Sequence, residues 1–126
     1  MKTLALIVAL SCTLCFATSI EYQVVAELKV REAHVAMLVA EIRSVHRGDS
    51  AFVETFDAAQ KKWGEYCSEM LELRFPEKKK REEYGSADFL ACAAVRRDML
   101  DALIKDLLPF TRAAQRVSDD TPKKNG

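Results

Sequence analysis

Apolar positions recur at helical spacing in three successive blocks of this chain. Val24, Leu28, Val35, Leu38, Ile42 and Val45 fall every three or four residues, or at multiples of that spacing, so they share one face of a helix. Only Arg31 interrupts the series, and Val25, Ala36 and Val39 widen it. The pattern predicts a first helix from about Ile20 to Arg47. Ser19 is placed to cap it, His46 and Arg47 suit its last turn, and Gly48 suits its stop. The second block starts at Asp49 or Ser50, both good caps. It continues through Phe52, Phe56, Ala59, Trp63, Cys67 (with Tyr66) and Met70. Lys61, Lys62, Glu65 and Glu69 fall mostly on the other side. Lys61 and Glu65 are spaced to pair for a few tenths of a kcal/mol. Pro76 ends this helix near Leu73 or Arg74.

A polar connection, Phe75 to Gly85, follows. Its basic run Lys78 to Arg81 is flanked by Glu77, Glu82 and Glu83 and reads as a solvated loop. A third helix opens at Ser86, an N-cap, with Asp88 in its first turn. Phe89, Cys92, Met99, Leu103 and Leu107 form its stripe, joined by Leu90, Ala93, Leu100 and Ile104. Pro109 breaks or kinks it. Phe110 to Val117 has room for a short helical turn or two, and Ser118 to Gly126 reads as a disordered tail. The prediction is an all-α fold, a small three-helix bundle.

The amino terminus changes the picture. Met1 and Lys2 precede an apolar run, Leu4 to Leu10, and then small residues up to Ser19. That is the layout of a secretory signal peptide, with cleavage expected after Ala17. The apolar run is well short of the ~20 residues that span a bilayer, so no stable membrane insertion is expected. Lipoprotein anchoring through Cys12 is disfavoured, because the usual leucine three positions earlier is Ala9. The expected organisation is a leader over residues 1–17, a helical domain over 18–117 and a tail over 118–126. The expected location is outside the cytoplasm, periplasmic or secreted.

Of four cysteines, Cys12 and Cys15 would leave with the leader. Cys67 and Cys92 remain, and an isolated pair in an exported protein most simply forms a disulfide. Closing a loop of about 25 residues would add roughly 3–4 kcal/mol. Measured from a tight turn, the two sit at similar heights on an antiparallel pair of helices. The bridge would then lock helices two and three into a hairpin. Two inert buried thiols are the alternative.

Charge narrows the function. Lys+Arg 19 balances Asp+Glu 19, leaving no basic excess for nucleic acid. No phosphate-binding glycine loop is present. His34 and His46 stand twelve residues apart and the cysteines form no C-x-x-C pair, so neither zinc nor any other metal is expected. No Ser/His/Asp or Cys/His arrangement suggests a nucleophile, and the chain reads as a non-enzyme without a cofactor.

One segment carries a family likeness. Gln60, Trp63, Tyr66 and Cys67, then Gly85, Ser86 and Cys92, resemble the motifs of exported LprI-type lysozyme-inhibitor domains. The likeness spans about Val53 to Leu108. The cysteine follows the tryptophan more closely than in the family, and Arg96 and Arg97 come sooner after Cys92 than its usual arginine. The resemblance implies an exported helical protein, some of whose relatives bind lysozyme. The matched positions read as structural. The common animal lysozymes are strongly basic, so a contact would need local acidity, for which Glu65, Glu69, Glu72 and Glu77 are the candidates. The expected function is a non-catalytic protein-binding module with a protein partner, lysozyme being the one implied. The alternative is a helical envelope or secreted interaction protein with another partner. In that case the width of the first helix (Val24, Val25, Val35, Val39) would serve self-association.

Overall fold

A computed structural model describes residues 2–120, with side-chain surroundings for residues 20–120 apart from Ser118. Among the described residues there are five α-helices and one 3₁₀ turn: α1 (Lys2–Val45), α2 (Ser50–Arg74), α3 (Lys78–Glu82), α4 (Ala87–Leu107), the turn Leu108–Phe110, and α5 (Arg112–Asp119). The described residues contain no strand.

The helix ends follow local chemistry. Asp49 caps α2, its carboxylate accepting from the Phe52 N–H at 3.0 Å. Ser86 caps α4, its hydroxyl accepting from the Phe89 N–H at 3.0 Å and donating to the Lys80 and Glu83 carbonyls. Gly85 immediately before it has φ +88°, a backbone conformation that glycine adopts without strain. Pro109 does not stop the chain from coiling. It sits in the 3₁₀ turn, where its missing N–H leaves no bond unmade, and α5 restarts after Thr111.

α1 begins at Lys2, well before the Ile20 start read from the apolar stripe. The expected leader over residues 1–17 thus coincides with the first turns of α1. Met1 and the side chains of Cys12 and Cys15 lie outside the described residues. No helix among the described residues is long and apolar enough to cross a membrane. The stretch Phe75 to Gly85 is not wholly a loop. Lys78–Glu82 coils into α3, aided by Lys78–Glu82 (3.8 Å) and Lys80–Glu77 (3.2 Å) ion pairs. Of the expected tail, Ser118 and Asp119 belong to α5, and residues 121–126 lie outside the described residues.

Packing runs through α4. α1 lies alongside it in the same direction, since Glu27, Glu32 and Arg31 meet Arg97, Arg96 and Asp101. Arg31, the interruption in the apolar stripe, donates to Asp101 at 2.7 Å. α2 runs back against both, with Phe56 on Leu38 and Ile42 of α1 and on Leu103 and Leu107 of α4. A second cluster joins Leu28 to Ala93 and Leu100, with Val24, Val35 and Trp63 against it. Ile42 has no exposed surface. Truncating it leaves a cavity that neighbouring helices cannot close. Ile42→Ala and Leu103→Ala should each lose about 2–5 kcal/mol of stability in urea unfolding. Val30→Ser, on the exposed face of α1, should change it by less than about 0.5 kcal/mol.

Candidate functional site

α2, α4 and the connection between them carry the cysteines, the motif residues and the acidic candidates singled out from the sequence, and the structure divides them. Gly85 and Ser86 build the turn into α4 and so have a structural role. Trp63 packs against both core clusters. Gln60 lines a groove beside it. Tyr66 does not join the core, because the helix turns it outward and it is 60% exposed.

The disulfide expected between Cys67 and Cys92 is absent, and both are free thiols. The reason is register. Cys67 faces Arg96, Met99 and Leu100 across a small cleft, about one turn further along α4 than Cys92. Phe56 meeting Leu103 and Leu107 fixes that alignment. One turn is an axial offset of ~5–6 Å. That offset exceeds the ~3.5–4.5 Å between Cβ atoms that a disulfide spans, so the two sulfurs do not meet. The estimate from a tight turn failed because α3 and its flanking residues separate α2 from α4.

The four acidic candidates also separate. Glu65, Glu69 and Glu72 are exposed and stand four and three residues apart, so they share the outer face of α2. None of them forms an ion pair among the described residues, and the expected Lys61–Glu65 pair is likewise not formed. Glu77 lies off this helix and is paired with Lys80. Sequence reading missed the apolar side chains next to the acids. Glu69 follows Tyr66 by three residues and precedes Leu73 by four, so it stands between them on the surface. Leu73 is 76% exposed. Its position outside the apolar stripe of α2 was the signal available.

On the other side of α2, Phe52, Phe56, Ala59 and Trp63 form one wall of an apolar groove of about 370 Å³. Leu103, Leu107 and Phe110 form the facing wall. Phe52 is held in place by His46, stacked on it with ring centroids 3.8 Å apart, and by Phe110 at 5.9 Å. His46 also lies 3.3 Å from the Phe110 carbonyl, tying the end of α1 to the 3₁₀ turn. A larger cleft of about 690 Å³ at the α1–α2 corner is crossed by the Arg43–Asp57 ion pair at 3.4 Å. His34 and His46 do not form a joint site, and no group of three or more His, Cys, Asp or Glu converges to hold a metal among the described residues. Val24, Val25, Val35 and Val39, read as spare width on α1, are half-buried. Val30 and Met37 are exposed apolar side chains of α1, as are Ile20 and Tyr22.

No family model, curated protein or solved structure matches the chain.

Burial pushes both thiols above their ordinary value of 9.0, and for Cys92 the Arg96 and Arg81 guanidinium groups oppose the shift. Folding therefore favours the protonated thiols. Their contribution is complete below the unfolded value and is lost as pH rises through the folded one. Denaturation above about pH 9 should show wild type losing stability faster with pH than a Cys67→Ala/Cys92→Ala variant. Reductant should leave the wild-type melting temperature unchanged, and a thiol reagent should label Cys67 before the buried Cys92.

Proposed function

We propose that this chain is an exported, non-catalytic protein-binding module that engages a basic partner through the outer face of α2. The observation that carries this reading is the surface around Glu69. It combines two exposed apolar side chains, Tyr66 and Leu73, with the unpaired carboxylates of Glu65, Glu69 and Glu72. Tyrosine is a residue type that dominates binding energy when an interface closes over it. Surrounding charges of one sign speed encounter with an oppositely charged protein and reject like-charged ones. The three long helices act as a small three-helix bundle that holds this face straight. About two and a half turns of one helix keep the five side chains in fixed relation, so little ordering is needed on binding.

The likeness of Gln60, Trp63, Tyr66 and Cys67 to LprI-type domains makes lysozyme the first partner to try. A second reading, an envelope or secreted interaction protein that self-associates, is favoured by Val30 and Met37. These are 69% and 63% exposed and lie two turns apart on one face of α1.

The test is a cell-wall turbidity assay with the purified protein and several lysozymes at low salt. Inhibition should be dose-dependent and weaken as salt is raised. Tyr66→Ala should weaken it about tenfold or more, and Glu69→Lys should do the same while removing much of the salt dependence. Both residues are exposed, so the melting temperature should hold. No inhibition of any lysozyme overturns that partner. Inhibition indifferent to both substitutions overturns the assigned face.

A further inference from the structure

The groove between α2 and α4 lies about half a turn around α2 from Glu65 and Glu72, so it is a surface separate from the proposed protein-binding face. Its volume of about 370 Å³ falls in the lower part of the range of small-molecule pockets, ~300–1,000 Å³. It is lined almost wholly by carbon. The floor is buried side chain, Phe56, Leu103 and Leu107, and the walls are the rings of Phe52, Trp63 and Phe110. Such a lining takes up an apolar body and rejects a strongly hydrated one.

The polar groups at this groove are few, and the charged one among them is a carboxylate. Among the described residues, Thr55, Gln60 and Asp106 are its aliphatic polar lining side chains, and no Lys, Arg or His lines it. Asp106 has no ion-pair or hydrogen-bond partner for its carboxylate among the described residues. Two other aspartates of α4 are paired. Asp98 meets Arg97 at 3.5 Å and Asp101 meets Arg31 at 2.7 Å. Asp106 thus places an uncompensated negative charge beside several aromatic rings, whose faces are also negative. Ring faces and carboxylate together attract a cation, and an ammonium group satisfies both.

We propose that this groove binds a small amphipathic organic cation. Its apolar body lies against Phe56, Trp63 and Leu107, and its ammonium group meets the Asp106 carboxylate. An anion would face Asp106 with no compensating charge, and a neutral ligand would leave the carboxylate without a partner. The site is preformed, because His46 and Phe110 fix Phe52 without a ligand.

The chain holds a single tryptophan, Trp63, and it lines this groove. Its fluorescence therefore reports on the site in the full chain. Titration with n-heptylammonium, heptan-1-ol and octanoate, which share one alkyl chain, separates apolar from charge recognition. The ammonium should give a saturable shift at about five- to tenfold lower concentration than the alcohol, with octanoate weakest. Asp106→Asn should bring the ammonium close to the alcohol without moving the alcohol. Ala59→Phe should abolish the response to all three by filling the groove. Asp106 and Ala59 are exposed, so helicity by circular dichroism should match wild type in both variants. A linear, unsaturable change overturns the proposal. So does equal affinity for the ammonium and octanoate, or a preference for the ammonium that survives Asp106→Asn.

Discussion

Ile42 is the side chain with no exposed surface, and it stands where α1, α2 and α4 converge. Leu38 and Ile42 come from one helix, Phe56 from the next, and Leu103 and Leu107 from the third. Because α2 reverses direction within a few residues of Val45, the position of Phe56 against Ile42 is set by a short turn and one cap, Asp49. That contact fixes how far α2 slides along α4. Core packing is close enough that a one-turn slip would leave Phe56 without a seat, a loss of several kcal/mol.

Two features of the hairpin follow from this alignment. Cys67 falls level with Arg96 rather than with Cys92, so both sulfurs stay reduced. Trp63 falls level with Leu100 and Leu103, leaving open space between Ala59 and Asp106. The chain past Pro109 then closes one end of that space. Thr111 is buried and donates to the Leu108 carbonyl at 2.7 Å, holding the turn that carries Phe110. The groove is thus produced by three things: the register of α2, the small side chain of Ala59, and a 3₁₀ turn that points a ring back toward the helices.

The helices and caps were legible in the sequence because they depend on local spacing. The stripes through Leu38, Ile42, Phe56, Leu103 and Leu107 all reach the core, and Asp49 and Ser86 both cap. What was not legible depends on distance across the fold. Height along an antiparallel pair can be counted from a turn only when the turn is tight, and α3 makes the α2–α4 connection long. α3 itself was hidden by its composition, since a run of Lys and Arg carries no apolar period to read. Tyr66 was assigned to the stripe beside Cys67, yet a step of ~100° from one residue to the next is enough to carry it into solvent.

The balanced net charge also concealed more than it showed. Arg31, Arg96 and Arg97 are matched by Asp101, Glu32 and Glu27 across the α1–α4 seam. Lys78 and Lys80 are matched by Glu82 and Glu77 around α3. These pairs are exposed or half-exposed, and each adds little stability. They also act on the field, because they neutralise five basic side chains locally. Glu65, Glu69 and Glu72 on α2, and Asp106 on α4, are among the carboxylates left without an ion pair among the described residues. A chain with a formal charge of zero can therefore present acidic surfaces, and their positions are decided by which acids the seam and α3 leave unpaired.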